Sequence, residues 1–442
     1  MNKKHFLIQF LCISVLLLAV LVQGLTHAVP LKPLGGFTDE LTKDTLSFKT
    51  YYDGSYQAFL TQYAKEHTGF REFFIRNYNQ VMYSCFGKIT NTNVVKGRHN
   101  ELFLDMYLNE ATGKRLLDEY GSIETAQAEA RKNVEETLRL IDTLQQHGTK
   151  FLFVFCPTKC AVYPETMPRF HKNQEFSLEE YYIELFKEHD IPHIDFLSWF
   201  QAIKDTVPYR LYTPSGTHWA QWTMPFVADS ILRKLESVTG YELPRIQLID
   251  ENLSTEYTLQ DAELMENMNL LFPIPTPAMP RPVFTLTDTL GKDRPNLLVI
   301  ADSYFYTLRT TCFVDAFNHW DYWVYNREVQ SSRECYDGYM LQWVFDAEEI
   351  LEDADIVMAV FTAPMLYDYM FGFPEFVQEQ FAHGPATDEE AIQNIIQHIY
   401  STPEWYQTIE QEADEKGRTV EENLRKHAEY MFNTHKYSRK NK

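Results

Sequence analysis

The feature that most limits the fold of this chain is a set of short, almost wholly apolar runs separated by stretches with helical spacing. Phe151-Leu152-Phe153-Val154-Phe155, Asn296 to Ile300 and Ala354 to Phe361 each read as a strand buried on both faces, with His193-Ile194-Asp195-Phe196 as a further strand. Between them, Ser122 caps a helix whose Val134, Leu138, Ile141 and Leu144 share one face before Gly148 ends it. Ser177 and Glu180 form a capping box for a second helix, and a third runs from about Trp219 to Val238 and stops before Gly240. Strands alternating with helices predict an α/β fold with a parallel sheet covered on both faces. Its chemistry belongs in the loops at the carboxyl ends of strands, after Phe155, Phe196, Ile300 and Phe361.

Outside this core the pattern changes. Lys3 and Lys4 precede an apolar run from Phe6 to Val22, interrupted only by Gln9 and Ser14. That length approaches the roughly 20 residues that span a bilayer. Thr26-His27-Ala28 also offers a small-residue cleavage site, so the run reads as an anchor to the cytoplasmic membrane or an export signal, with a buried core helix as the plain alternative to both. Either way the basic end stays in the cytoplasm and the rest of the chain lies outside. From Thr50 to Tyr83 the spacing predicts two short helices broken at His67-Thr68-Gly69, and Asn93 to Leu104 reads as a β-hairpin. Five prolines between Phe272 and Pro282 mark an extended, polyproline-like crossing within an insertion from Gly240 to Pro295, draped near the site. Helix starts at Thr387, Pro403 and Thr419 predict a helical tail that docks as a hairpin. The expected divisions are an anchor over 1–30, a helical segment and hairpin over 31–110, the α/β domain over 111–380 and the tail over 381–442.

Composition closes off other classes. With 40 Lys+Arg against 62 Asp+Glu and a net charge of −22, the chain has no basic stripe of the kind that holds nucleic acid or an anionic membrane surface. No HExxH, P-loop or dinucleotide glycine fingerprint occurs, so no metal and no cofactor are expected. Beyond Cys12 in the apolar run lie Cys85, Cys156, Cys160, Cys312 and Cys335, an odd number. Cys156 and Cys160 in CPTKC read first as ordinary small residues, with a local disulfide as the alternative in an oxidising compartment.

The most informative segment is Asn296-Leu297-Leu298-Val299-Ile300-Ala301-Asp302-Ser303-Tyr304-Phe305, an apolar strand running directly into Asp-Ser. A serine on such a turn is a nucleophile with its hydroxyl exposed and the N–H groups of Ser303 and Tyr304 available to an oxyanion, or else a helix cap. Asp302 is placed to hold the turn backbone. A serine needs a base, and His218, in Tyr212-Thr213-Pro214-Ser215-Gly216-Thr217-His218-Trp219, sits at a loop-to-helix junction from which it can be aimed across a cleft walled by Trp219. Its plain alternative is a polar cap residue. His319, in Asn318-His319-Trp320-Asp321, comes second and has the look of a surface turn.

Taken in chain order, five segments resemble the SGNH-hydrolase-like domain of alginate O-acetyltransferase proteins. They are Val94 to Phe103, the segment Cys156 to Glu165 with its Pro157-x-Lys159 and Tyr163-Pro164-Glu165, Gly216-Thr217-His218-Trp219, Ala301 to Phe305, and Ala354-Asp355-Ile356-Val357. Together they cover about residues 50 to 375. The resemblance implies a flavodoxin-like core in which Ser303 is the nucleophile and His218 the base. Lys159, Tyr163, Thr362, Trp219 and Tyr304 would lie along the substrate cleft. It also implies transfer of acetyl groups to an exported polysaccharide beside a membrane-bound O-acyltransferase that supplies them. The family's Asp-x-His places its Asp where this chain has Gly216. Asp195 and Ser215 are the candidate substitutes for that orienting group, and a dyad, a substituted triad and a dead site all stay open. Two functions follow: an extracytoplasmic O-acetyltransferase or esterase working through a seryl acyl-enzyme, or a catalytically silent glycan-binding or scaffold subunit favoured by Gly216.

Overall fold

The computed structural model describes residues 3–36, 46–169, 176–287, 289–325, 328–332, 340–341, 351–384 and 386–440. Its strands are β1 Val94–Lys96, β2 Leu102–Leu104, β3 Lys150–Cys156, β4 His193–Asp195, β5 Arg245–Ser254, β6 Met279–Thr287, β7 Asn296–Ala301, β8 His319–Val324, β9 Glu328–Ser331, β10 Met340–Leu341 and β11 Ile356–Thr362. Among the described residues seven strands form the main sheet, in the order β10-β9-β8-β7-β11-β3-β4. The five from β8 to β4 are parallel, and β9 and β10 extend the β8 edge antiparallel.

Alternate side chains of the apolar runs enter two different cores. Phe151, Phe153 and Phe155 of β3, Leu298 and Ile300 of β7, and Val357, Ala359 and Phe361 of β11 pack with the helices Ile123–Gln146, Leu178–Glu188 and Phe373–His383. Leu152 and Val154, Leu297 and Val299, and Met358 and Val360 point the other way, toward the helices Phe196–Ile203 and Met224–Thr239. This is the strand period of two, acting on strands that are apolar at every position because both faces are covered. β11 pairs in register with β3 on one side and β7 on the other, which brings the loops after Ala301 and Thr362 side by side at the carboxyl edge.

The described residues fall into two compact units. One holds the sheet and comprises Thr92–Leu264, Ile274–Ala391 and Phe432–Lys442. The other comprises Met1–Asn91, Met265–Pro273 and Ile392–Met431. It begins with four helices, α1 Lys3–Thr26, α2 Phe48–Asp53, α3 Ser55–Glu66 and α4 Arg71–Phe86. Asn79 of α4 donates to the carbonyls of Met268 (3.0 Å) and Asn269 (3.3 Å), and Asn269 in turn donates to Gly35 O at 2.9 Å.

Several local expectations appear as hydrogen bonds. Ser122 Oγ accepts from Thr125 N at 3.2 Å, Ser177 Oγ from Glu180 N at 3.3 Å, and Thr387 and Thr419 form capping boxes with Glu390 and Glu422. β1 and β2 form the expected hairpin. Two expectations need correction. His319 to Asp321 is not a surface turn but the start of β8, where His319 is buried between Ser332 Oγ at 2.7 Å and Asp321 Oδ2 at 3.0 Å. The proline-rich insertion is not a polyproline crossing throughout, because Met279–Thr287 pairs antiparallel with Arg245–Ser254 as a separate two-stranded ribbon. Pro280 and Pro282 are tolerated there because a two-stranded ribbon is all edge. Cys12, Cys85, Cys156, Cys160 and Cys312 are free thiols, Cys156 and Cys160 being buried, and Cys335 lies outside the described residues.

Phe153 stands at the centre of the first core, fully buried, with its ring 5.0 Å from Phe186 and 5.7 Å from Phe361. Phe153→Ala is expected to lower the unfolding free energy by about 3–5 kcal/mol, the usual cost of emptying a phenylalanine site. Urea titration followed by tryptophan fluorescence measures it, and a loss well below that range would mean that the core refills the cavity.

Candidate functional site

Ser303 lies two residues past the end of β7, at the amino end of the short helix Tyr304–Arg309. Asp302 builds its turn. The buried Asp302 carboxylate accepts the Tyr304 N–H through Oδ1 at 2.9 Å, and the Thr362 N–H and hydroxyl through Oδ2 at 2.9 and 2.7 Å. The loops after β7 and β11 are therefore locked together by one carboxylate. Burial pushes Asp302 up as an acid, and these same hydrogen bonds act against that push.

Across the edge, His218 Nε2 is 3.0 Å from Ser303 Oγ. Its Nδ1 lies 2.8 Å from Glu263 Oε2 and 2.9 Å from Glu263 Oε1. A carboxylate can only accept, so Nδ1 carries the hydrogen and Nε2 is left to accept the serine proton. Glu263 Oε1 also accepts the N–H groups of Thr217 at 2.6 Å and His218 at 3.0 Å. Burial raises the Glu263 carboxyl, but the facing His218 and these hydrogen bonds outweigh it and hold the group below its ordinary value, ionised at neutral pH. The Ser–His–Glu line has the geometry for a proton to pass from Ser303 to an imidazole whose resulting charge a carboxylate stabilises.

Glu263 escaped the sequence pattern because it arrives from the insertion, at the start of the helix Glu263–Asn267, 45 residues after His218. The space at Gly216 shows why an aspartate cannot sit there. A Cβ on Gly216 would lie 2.3 Å from Gln260 O and 2.8 Å from Thr213 Oγ1, so the segment that delivers Glu263 occupies the room an aspartate would need. Neither expected substitute reaches His218 Nδ1. Asp195 caps the helix Phe196–Ile203, accepting Ser198 N at 2.8 Å and Lys187 Nζ at 3.1 Å. Ser215 donates to Asp261 O at 2.8 Å, and its own carbonyl accepts Leu264 N at 3.0 Å, so it fastens the neighbouring loop instead.

The residues expected along the cleft act mostly as supports. Lys159 is buried, and its ammonium donates to the carbonyls of Thr213 (3.2 Å), Pro214 (3.1 Å) and Gly216 (2.7 Å), with Glu101 at 3.6 Å. Burial draws its pKa down to about 8, with Glu101 acting in opposition. It therefore pins the loop ahead of His218 and has no exposure to offer a sugar. Tyr163 is buried and accepts Leu211 N at 3.1 Å, beneath the Arg210 guanidinium. Trp219 is fully buried, donating to Thr307 at 2.5 Å, with Tyr304 edge-on at 4.9 Å. Tyr304 is also buried, and its hydroxyl donates to Thr217 O at 3.0 Å, while its N–H is taken by Asp302 and is not available to an oxyanion. Thr362 is enclosed against Asp302 as described.

One neighbour of Ser303 was not foreseen. Tyr325 follows β8 with a positive φ of 51°, and burial and the Asp302 carboxylate raise its hydroxyl as an acid, with the neighbouring Ser303 acting the other way. Tyr325 also lines a cleft of about 790 Å³, together with Tyr120, Tyr367, Phe371, Asp368 and Glu375. Among the described residues no group of His, Cys, Asp and Glu is arranged to hold a metal ion.

Residues 116–280 match the family described as SGNH hydrolase-like domain, acetyltransferase AlgX. That span contains His218 and Glu263 and ends before Ser303. Among solved structures, the O-acetyltransferase domain of Pseudomonas putida AlgJ is 17% identical, with a TM-score of 0.41 over 65% of this chain and 98% of that one. Pseudomonas aeruginosa AlgX is 14% identical, with a TM-score of 0.40 over 64% and 67%. No curated protein matches the chain in sequence.

Asp261 gives the site a testable pH signature. Burial raises its carboxyl from 3.8 to about 7, so the folded protein holds a proton there that the unfolded chain releases. Its contribution to stability is therefore present below pH 3.8 and is lost as pH rises toward about 7. Asp261→Asn has no such titration. The melting temperature of the variant minus that of wild type is expected to climb between those two pH values and then level off. A difference that stays flat across the range would show that Asp261 titrates normally.

Proposed function

We propose that this chain, whose residues 116–280 match the SGNH hydrolase-like domain of the AlgX acetyltransferase family, is an extracytoplasmic O-acetyltransferase or esterase acting on a cell-surface or exported polysaccharide. The observation that carries this reading is the completed line from Ser303 through His218 to Glu263, at 3.0 and 2.8 Å. Gly216 had favoured a silent scaffold, and that support weakens once a carboxylate stands behind His218.

In the proposed reaction His218 Nε2 takes the Ser303 proton as Oγ attacks the acetyl carbonyl. The imidazolium then returns that proton to the leaving group, and the acetyl stays on Ser303 as an ester. A sugar hydroxyl next gives its proton to His218 and attacks the ester, which moves the acetyl to the sugar and restores the Ser303 hydroxyl. Water in place of the sugar gives hydrolysis. The oxyanion donor in this reading is the Ser303 N–H, since the Tyr304 N–H is taken by Asp302. The cleft lined by Tyr325, Tyr120 and Tyr367 is the proposed acceptor side, since aromatic faces suit the C–H faces of pyranoses. The acetyl group would come from a membrane-bound O-acyltransferase across the bilayer, and α1 would keep the protein at that membrane.

Release of acetate from a chromogenic acetyl ester, with intact-protein mass, tests the reading. Ser303→Ala should lose turnover and the acetyl adduct together. His218→Ala should reduce turnover to near background. Glu263→Gln, which keeps the shape and removes the charge, should lower kcat by roughly 10³–10⁴ with the fold intact. Equal turnover in wild type and Glu263→Gln would remove Glu263 from the mechanism. An acetyl adduct that persists in Ser303→Ala would move the nucleophile elsewhere.

A further inference from the structure

Helices α2, α3 and α4 carry large apolar side chains without a core to put them in. No residue of α3 is buried, and Asn79 is the buried residue of α4. Phe48 is 86% exposed, Tyr52 79% and Phe86 72%, and Phe73, Phe74 and Tyr78 are exposed as well. Helices that present this much aromatic surface to water normally have something else against it.

Their attachment to α1 indicates what that is. The apolar run of α1 ends at Val22, and the turn between α3 and α4 lies directly on this end. A Cβ on Gly69 would fall 2.0 Å from Val20 O and 2.7 Å from Gly24 N, and one on Gly24 would fall 2.5 Å from His67 O. Backbone meets backbone there because both partners are glycines. With Lys3 and Lys4 on the cytoplasmic side, Val20 to Gly24 marks the outer boundary of the hydrocarbon. The C-terminal end of α3 and the N-terminal end of α4 are thus held at headgroup depth, with Lys65 and Arg71 flanking the turn. Tryptophan and tyrosine are enriched at this interface, and phenylalanine is common on the apolar face of helices that lie in it.

We propose that α2, α3 and α4 form a lipid-binding collar that seats its exposed aromatic side chains in the outer leaflet around α1. The contact is apolar and needs no basic patch, in keeping with the acidic balance of the chain. It rests on the reading of α1 as a retained membrane anchor, and the test separates the two.

Cys85, exposed near the end of α4, and Cys12, exposed within α1, are native attachment points for an environment-sensitive fluorophore. Two full-length proteins would be compared, each with Cys312→Ser and Cys335→Ser, one also with Cys12→Ser and the other with Cys85→Ser. Each is reconstituted into phosphatidylcholine vesicles containing an acyl-chain spin-labelled lipid. The Cys12 probe reports insertion of α1, and the Cys85 probe reports the collar. The proposal expects both probes to emit at short wavelength and to lose most of their emission to the spin label, while iodide leaves them bright. Quenching at Cys12 with a Cys85 probe that stays wet and iodide-sensitive overturns the collar and leaves the anchor standing; a proteinaceous cover for these helices would give that result. Two wet probes would overturn the anchor and the collar together.

Discussion

The site depends on the Glu263 carboxylate more than on any other group. One of its oxygens accepts two backbone N–H groups and shares the imidazole N–H with the other, so it fixes the path of the chain at Thr217 and His218 as well as the tautomer of the ring. The loop it holds has no regular structure of its own. Its shape comes from buried polar contacts: Lys159 on three carbonyls, Tyr304 on Thr217 O, and Thr213 and Ser215 on Asp261 O. Each is a group that would be left unsatisfied in the interior if its partner were lost, which is why such contacts position more strongly than their modest net energies suggest.

The sheet supplies the other half. Parallel pairing of β7 with β11 sets two strand ends side by side, and Asp302 turns that adjacency into a fixed geometry by bonding to Tyr304 and Thr362. Ser303 therefore sits on a turn held from below, while His218 is held from the side. Preorganised groups of this kind need little rearrangement when charge develops.

Much of this was legible in the order of residues. Continuous apolar strands, the cap at Ser177, the capping box at Thr419 and the serine after Ala301 are local signals, and local signals survive translation into three dimensions. Glu263 was not legible, because the contact that gives it meaning spans 45 residues and leads out of an insertion. Lys159 and Trp219 were read as lining the cleft and are buried beneath it, since a pattern of residue types records proximity along the chain and says little about burial. β8 was missed because His319 and Asp321 satisfy each other inside a strand, whereas in a bare sequence they read as water-loving.

The crowding at Gly216 bears on how such a site changes hands over time. With Gln260 O within 2.3 Å of where a side chain would start, this fold accommodates the carboxylate from the insertion or one at position 216, and not both at once. A lineage passing from one arrangement to the other could not hold duplicates during the exchange. It would have to move the backbone of the insertion and swap the residue together, or cross a stage with an unsupported histidine. The glycine is thus locked by what surrounds it: with the insertion closed over it, any single substitution that adds a side chain at position 216 meets a wall of backbone.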